Sequence, residues 1–400
     1  MDKIYYRKEQ TESKNNRIHV ADRSTSRAIN QKALIDTIYR SNGISKAALA
    51  KELGLSKPAV SDNIADLIAL GLVEEKGSGE ASKNGGRRPT VLQFNSLLSY
   101  IGALDLSLQE PICAIGDLSN WIHSLKKINV DRNASAEEKR RCILDTFVSM
   151  LAELSIPKEK MGIIVISHPG IIGEDNEPKY VVESHRAWTG IDIKVHLEQH
   201  FNIPVLLEND NNLAAIGEMH HGHDEQLENL IYVSCGTGLG SGVIIGGELY
   251  RGCNRAAGEM GTLLDSSGKR IEDTVNIDGL LRRIEEVLHL DGQKLTFPQV
   301  VDIVKTGDFR VNQVIYEVGR EIGRVAYNSS LVLDIPTIVI GGDYLKLGQA
   351  LFDGIEDAVS QTFYFRPKVV RSTLLESAGI FGSFIYGKNE ILQQKLMAVK

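Results

Sequence analysis

Several short segments of this chain combine glycine with carboxylate or amide side chains, as sugar- and phosphate-binding sites do. Residues 236–242 read GTGLGSG after a predicted strand, and such glycines let backbone N–H groups approach a phosphate or a sugar. Residues 208–212, ENDNN, follow another predicted strand and open a helix, where an Asp beside an Asn can bind adjacent sugar hydroxyls. A helix cap explains that segment equally well on its own. Two further segments are GEMG at 258–261, with a carboxylate between glycines, and IVIGGD at 338–343, a strand ending in a Gly-Gly turn.

A different chemistry is indicated near the front of the chain, where serines precede helical patterns. After a first helix that begins near Ala28, Ser45 is expected to cap a second helix over 46–53, and Ser56 a third from Lys57 to about Leu70. This order is typical of a helix-turn-helix, whose last helix enters the major groove of DNA. The residues predicted to face outward there are Ser56, Lys57, Ala59, Ser61, Asp62 and Asn63. We expect them, except Asp62, to contact DNA together with Ser45.

A β-hairpin is predicted directly after the third helix. Its strands are 72–76 and 90–94, and the polar loop between them, 77–89, ends in GGRRP. Arginines on a Gly- and Pro-restricted loop can enter the narrow, negative minor groove, so Arg87 and Arg88 are predicted DNA contacts. A three-helix bundle with a solvated basic loop is the alternative, but the combination favours a winged helix-turn-helix that binds double-stranded DNA.

The rest of the chain alternates strand and helix patterns, which predicts an α/β body in two lobes. Predicted strands are 101–106, 112–118, 163–167, 205–208, 230–234, 242–245 and 337–340, and predicted helices are 134–156, 211–220 and 314–333. We expect a flexible leader over 1–24, a DNA-binding domain over 25–95 and the body over 96–400. Its lobes are predicted at about 96–205 with the C-terminal helix, and at about 206–380.

Charge and cysteine content agree with a DNA-binding domain joined to an α/β body. The net charge of −7 divides into +5 over residues 1–95, with 16 basic and 11 acidic residues, and −12 over the remainder. A basic front on an acidic body indicates domains with different partners. The four cysteines form no CxxC pair, which argues against a disulfide framework. Without a signal peptide or a long apolar segment, a cytoplasmic location with no membrane partner is expected.

Together and in this order, these motifs resemble the ROK family (repressors, open reading frames and sugar kinases). The resemblance covers nearly the whole chain, residues 234–261 being highly specific, and the GGRRP wing is similar to the repressor branch. It implies an actin-like, hexokinase-like ATPase fold with a sugar between two lobes. It also implies that the sugar-binding residues are Gly170, Asn209, Asp210, Glu259 and Glu272, with Asp210 at the position of the kinase base. The corresponding nucleotide-like loop residues are Gly236, Thr237, Gly238, Gly240, Gly341 and Gly342.

Two departures from the family pattern bear on activity. Where the kinases have Asp-x-Gly-x-Thr in their first phosphate loop, residues 105–110 read DLSLQE, and an acidic residue there repels a polyphosphate. This argues against ATP binding and kinase activity and makes Asp210 a vestigial position. The family's zinc loop follows Gly-Glu-x-Gly with His and three Cys, whereas residues 262–272 contain neither residue type. We therefore expect no metal and no cofactor.

The sequence favours a sugar-responsive transcriptional repressor that controls genes of carbohydrate use, xylose use among them. It is expected to act as a homodimer or a tetramer, with no catalytic residue. Sugar in the cleft is expected to change operator affinity. There are two alternatives. One is an active ROK sugar kinase with a DNA-binding head, and the other is a DNA-binding scaffold that does not respond to a ligand.

Overall fold

The structure is a computed structural model that describes residues 23–41, 43–78, 90–108, 110–131, 133–181, 186–223, 227–290, 292–360 and 365–398. Two compact units make up these residues: Ser96–Gln394, and the preceding segment together with the last residues from Lys395. We call the segment before Ser96 the head and the larger unit the body. In the part of the chain that is described, no helix is long and apolar enough to cross a membrane.

The head is a winged helix-turn-helix. Its elements are α1 (Arg23–Arg40), β1 (Ile44–Ser45), α2 (Lys46–Glu52), α3 (Lys57–Ala69), β2 (Val73–Ser78) and β3 (Thr90–Phe94). The predicted serine caps are confirmed, since Ser45 Oγ accepts the N–H of Ala48 at 3.2 Å and Ser56 Oγ that of Ala59 at 3.3 Å. β3 lies between β1 and β2 in an antiparallel sheet. The two-residue strand β1 was not predicted, because two residues carry no periodicity.

A small apolar core and one polar cluster hold the helices of the head together. Fully buried members of the core are Leu34, Ile38, Leu49, Val60, Ile64, Leu67 and Leu92. Arg27 and Gln31 of α1 both donate to the Asp66 carboxylate of α3, with Nε–Oδ2 and Nε2–Oδ2 distances of 3.0 Å. These bonds fix α3 against α1, while Ser56 and Lys57 at the other end of α3 are exposed.

The first lobe of the body is built on a five-stranded sheet. Its strands are β4 (Tyr100–Asp105), β5 (Ile112–Asp117), β6 (Ile122–Lys127), β7 (Met161–His168) and β8 (Val205–Asn209), and its helices are α4 (Ala136–Glu153), α5 (Arg186–Thr189) and α6 (Ile193–Phe201). Helix α7 (Asp210–His221) begins where β8 ends and packs mainly on the second lobe. In the order β6-β5-β4-β7-β8, the last three strands are parallel, so β4, β7 and β8 end at one edge. The predicted strands are confirmed, but the edge strand β6 was missed because its side chains are only partly buried.

The second lobe carries another five-stranded sheet, β11-β10-β9-β12-β13. Its strands are β9 (Leu230–Cys235), β10 (Leu239–Ile245), β11 (Glu248–Leu249), β12 (Thr337–Gly341) and β13 (Lys368–Arg371). The remaining helices are α8 (Glu272–Val275), α9 (Ile277–Val287), α10 (Phe297–Thr306), α11 (Phe309–Leu333), α12 (Gln349–Ser360) and α13 (Ala378–Met397). This is the two-lobed α/β body that the sequence predicts.

Helices α7 and α13 are packed backbone to backbone. A Cβ at Gly217 of α7 would collide with the carbonyl oxygen of Ala378, and one at Gly382 of α13 with that of Leu213. At the C-terminal end of α7, the buried Glu218 accepts a hydrogen bond from Ser372 Oγ. Glycine is therefore required where these two helices cross, because any side chain would push them apart.

Candidate functional site

Asn209 and Asp210 lie where β8 ends and α7 begins. Asn209 Oδ1 caps α7 by accepting the N–H of Asn212 at 3.0 Å, while its Nδ2 donates to Gly170 O at 3.0 Å and to Asp210 Oδ1 at 3.1 Å. Asn211 Nδ2 also donates to Asp210 Oδ1, at 3.1 Å. The cap interpretation is thus confirmed for Asn209. The same side chain links Gly170 to Asp210, so two segments implied by the family resemblance are in contact.

Gly170 follows β7 with a φ of +135°. A Cβ at this position would collide with the Tyr180 carbonyl oxygen, so both the backbone angle and the close approach require glycine. Its carbonyl stays within hydrogen-bond reach of Asn209. Gly170 therefore presents backbone rather than side chain beside Asn209.

Glu272 and Glu259 lie on the second lobe. Glu272 Oε2 accepts the N–H of Leu239 at 3.2 Å and lies against Gly238 and Gly261, at 3.2 and 2.8 Å from where their Cβ atoms would be. Desolvation and, after it, the charge of Glu272 raise the pKa of Glu259. The structure therefore brings both carboxylates and the glycine-rich turn together.

Strand β10, which follows this turn, packs against the start of α7. Cβ atoms at Gly240 and Gly242 would collide with Asn211, the side chain at the first position and the backbone at the second. Asn211 also donates to Asp210, as described above. The absence of side chains at Gly240 and Gly242 is what allows β10 to lie against the N-terminus of α7.

Several carboxyl groups lie close together around Asp210. Burial and then the charges of Asp105 and Glu259 raise the pKa of Asp210 to about 7. Burial raises the pKa of Asp105 as well, although the hydrogen bonds from Ser107 oppose the shift. Asp210 is therefore poised to exchange a proton near neutral pH, which suits either a hydrogen-bonding role toward hydroxyls or general-base chemistry.

The loop after β4 closes on itself. Ser107 donates both its backbone N–H, at 2.9 Å, and its hydroxyl, at 2.6 Å, to Asp105 Oδ1. Glu110 extends beyond this turn and pairs with Lys127 at 2.6 Å. The N–H of Ser107 and the Lys127 ammonium are therefore both already engaged by carboxylates of the protein.

The nucleotide-like residues form two adjoining turns. Gly236 N donates to Gly238 O at 3.0 Å, and Thr237 between them is exposed. Gly341 lies against the Tyr232 ring, and Gly342, with a φ of +83°, against the Cys235 backbone. Asp343, which follows them, lies within 3.5 Å of where a Cβ at Gly236 would be and pairs with Lys346 at 2.8 Å. Sequence reasoning did not identify Asp343 as a carboxylate beside this loop.

A buried ion cluster at Glu208 was also missed. Arg251 binds Glu208 Oε2 through Nε at 2.8 Å and through a terminal nitrogen at 2.6 Å, and Arg255 lies 3.6 Å from the same oxygen. Glu208 Oε1 accepts from the backbone of Asn209 at 3.0 Å and from Asn212 at 2.9 Å. The only available signal was a pair of arginines near GEMG, and sequence spacing does not show that they reach β8.

In the head, most of the predicted DNA contacts are accessible. Ser56, Lys57 and Ser61 are exposed at the start of α3, and Ser45 and Ala59 are partly exposed. Asn63 was predicted to face outward, and this is wrong. It is 7% exposed and its Nδ2 donates to Ala59 O at 2.7 Å, because its position on α3 places it on the core face. Arg87 and Arg88 lie outside the described residues.

No group of three or more His, Cys, Asp and Glu side chains within the described ranges is arranged to hold a metal ion. The segment after Gly261 instead folds into a short turn in which Asp265 Oδ1 accepts from the backbone of Ser267 at 2.8 Å and of Lys269 at 3.0 Å. These side chains do not fit a zinc site, since Zn²⁺ in proteins prefers thiolate and imidazole ligands.

Comparison with known proteins gives a family match for each unit. The model of the ROK family matches residues 102–390, and that of the MarR family matches residues 26–88. The chain is 28% identical over 352 residues to the xylose repressor of Bacillus spizizenii (strain ATCC 23059 / NRRL B-14472 / W23), covering 86% of this chain and 90% of that protein.

Solved structures share the fold. A ROK family transcriptional regulator, a homolog of the E. coli MLC protein, superimposes with a TM-score of 0.76 at 19% identity, covering 93% of this chain and 99% of the other. A ROK hexokinase from Thermus thermophilus gives a TM-score of 0.59 at 20% identity, covering 73% of this chain and 99% of the hexokinase. The first of these likenesses extends over nearly the whole chain, and the second is confined to about three quarters of it.

Proposed function

Because this chain belongs to the ROK family, we propose that it is a sugar-responsive DNA-binding transcriptional repressor of carbohydrate-utilisation genes. One observation carries the proposal: a winged helix-turn-helix and a ROK body share one chain that aligns with a xylose repressor over 90% of that repressor's length. D-Xylose is accordingly the first effector to test. The protein acts in the cytoplasm, as a homodimer or a tetramer, on an operator whose symmetry matches its own.

The sugar site consists of Gly170, Asn209, Asp210, Glu259 and Glu272. Asn209 and Asp210 offer hydrogen-bonding groups that are already held by neighbouring bonds, so little side-chain freedom is lost when a sugar binds. On the second lobe, the charge of Glu259 acts on Asp210, and that of Glu272 acts on Glu259. A sugar that binds both lobes favours one lobe arrangement over another, and this difference in affinity changes how well the head binds DNA.

The DNA contacts are Ser45, Ser56, Lys57, Ala59 and Ser61 of the head, joined by Arg87 and Arg88. The exposed N-terminal turn of α3 supports this assignment, since short polar side chains there reach phosphates and base edges. Lys57 supplies a positive charge at that turn. Binding is therefore expected to weaken as salt concentration rises.

We do not expect kinase activity, because the loop after β4 lacks the features of the first phosphate loop of the kinases. The N–H of Ser107 is bonded to Asp105, and the Asp343 carboxylate lies beside Gly236 in the glycine-rich loop. Close like charges are costly in a partly dry site. The glycine loops Gly236–Gly240 and Gly341–Gly342 are therefore not expected to bind a nucleotide.

The test combines a sugar panel with DNA binding. Full-length protein is used to select DNA from a random library, and affinity for the selected sequence is measured by fluorescence anisotropy with D-xylose, D-glucose, xylobiose or no sugar. We expect one sugar to raise the melting temperature and to change DNA affinity. If DNA binds but no carbohydrate alters its affinity, the sugar-responsive function fails and a ligand-independent scaffold replaces it.

An active sugar kinase is the second candidate, favoured by the pKa of Asp210 near 7, which suits a general base. It predicts ATP-dependent phosphorylation of a panel sugar that Asp210→Asn abolishes. Calorimetry with AMP-PNP and a coupled ADP assay decide between the candidates. Absence of both nucleotide binding and turnover eliminates the kinase.

A further inference from the structure

Arg255 occupies an uncommon backbone conformation in the loop that leads to Glu259. Its φ is +55°, in the left-handed region that L side chains rarely adopt. The turn is closed on both sides of it, since Arg255 N donates to Gly252 O at 3.3 Å and Ala257 N to Arg251 O at 3.0 Å. These two hydrogen bonds hold Arg255 in a conformation that glycine adopts without strain.

The guanidinium of Arg255 joins two other segments of the body. Its Nε donates to the Ile172 carbonyl oxygen at 2.8 Å, and a terminal nitrogen lies 3.6 Å from Glu208 Oε2. Ile172 lies two residues beyond Gly170, and Glu208 immediately precedes Asn209. Arg255 itself lies four residues before Glu259. One side chain thus connects the three segments that carry Gly170, Asn209 with Asp210, and Glu259.

Neutralising Glu208 does not require Arg255. Arg251 already binds Glu208 Oε2 through two nitrogens at 2.6 and 2.8 Å, and Oε1 is occupied by Asn209 and Asn212. The hydrogen bond to Ile172, in contrast, is made by Arg255. The Arg255 side chain is 22% exposed and lines a surface cavity of about 410 Å³ with Gly173, Asp175, Lys179 and Asn254. Water can therefore replace the guanidinium if it is removed.

We propose that Arg255 is a positioning residue for the sugar site: by bridging Ile172 and Glu208 it holds Gly170, Asn209 and Glu259 in the arrangement that binds sugar. This inference rests on the proposed sugar-binding function. Arg255 touches no sugar in this scheme. It acts through the backbone of the three segments, and losing it leaves the segments folded but no longer aligned with one another.

The test compares Arg255→Gly with a control of the same backbone type. Glycine accepts a φ of +55°, so Arg255→Gly keeps the turn and removes only the bridge. Asp334→Gly is the matched control, because Asp334 also has a positive φ, of +53°, and is exposed at the end of α11. Affinity for D-xylose, D-glucose and xylobiose is measured by calorimetry, and DNA affinity without sugar by anisotropy.

Arg255→Gly is expected to weaken sugar binding by about tenfold or more, with sugar-free DNA affinity unchanged. Arg255→Lys keeps the charge but lacks the planar fork, so it is expected to recover only part of the affinity. Asp334→Gly is expected to bind sugar like the wild type. Wild-type sugar affinity in Arg255→Gly overturns the proposal for Arg255 alone, and full recovery by Arg255→Lys overturns the bridging geometry. A wild-type protein that binds none of the panel sugars refutes the proposed function and, with it, this inference.

Discussion

The N-termini of α3 in the head and α7 in the body are capped in the same way and differ in almost everything else. Ser56 and Asn209 each accept a hydrogen bond from a backbone N–H three residues along. Beyond the cap, α3 presents exposed Lys57 and Ser61 to solvent, whereas Asp210 of α7 is held by two amides and has a pKa near 7. Exposed polar and basic groups suit a large polyanion, and half-buried groups held by hydrogen bonds suit a small neutral ligand.

Of the substitutions at these two helix ends, Asp210→Ala is expected to have the largest effect on ligand binding. Removing the carboxylate leaves hydroxyls of a bound sugar and the amides of Asn209 and Asn211 without their partner, so sugar affinity is expected to fall by about a hundredfold or more. The measurement is the sugar-dependent rise in melting temperature, with DNA affinity followed in parallel. Asp62→Ala, which removes an exposed carboxylate from α3, is the control and should leave the thermal response intact. A normal response in Asp210→Ala would show that α7 does not bind the sugar.

The raised pKa of Asp210 predicts that stability and sugar affinity both depend on pH. Its pKa is raised to about 7 in the folded chain, so its contribution to stability is fully present below pH 4 and is lost as pH rises toward 7. Wild type is therefore expected to lose stability relative to Asp210→Asn over that range, as measured by urea unfolding. If sugar hydroxyls bind the carboxylate, affinity rises by at most about tenfold per pH unit below 7 and then levels off. Equal sugar affinity at pH 6 and pH 8, in wild type as in Asp210→Asn, contradicts this role.

A smaller effect separates two residues of α3 itself. Asn63 is buried, so Asn63→Ala is expected to lower the free energy of unfolding by about 1 kcal/mol without changing sequence preference. Lys57→Ala should leave the free energy of unfolding unchanged and weaken DNA binding. The slope of log affinity against log salt concentration should become shallower by about one, since one phosphate contact is lost. Chemical denaturation and anisotropy across a salt series measure both. Should Asn63→Ala instead alter which bases are preferred, Asn63 contacts DNA and the exposed-face assignment needs revision.

The elements around both helix ends were predictable from sequence because they depend on local signals. Serine caps and short apolar runs placed α2, α3, β7 and β8 close to their observed bounds. The prediction for Asn63 was wrong because polarity was taken as a sign of exposure, whereas its position on α3 places it on the core face.

Contacts between distant segments could not be predicted in this way. Arg251 and Arg255 reach Glu208 across more than 40 positions of sequence, and Asp343 reaches Gly236 across more than 100. Such contacts depend on how the sheets are assembled, and no spacing rule for a helix or a strand reports them. The family resemblance identified which carboxylates and glycines to examine, but not the arginines that connect them.

Helix α7 runs from the proposed sugar site into the interior of the body. With Asp210 at one terminus and Glu218 near the other, its 12 residues span about 18 Å. The glycine contacts between Gly217 and Ala378 and between Gly382 and Leu213 leave no slack for α7 to slide along α13. Any shift of α7 along its axis is therefore opposed at these two crossings, because backbone lies against backbone there and no side chain can repack to absorb it.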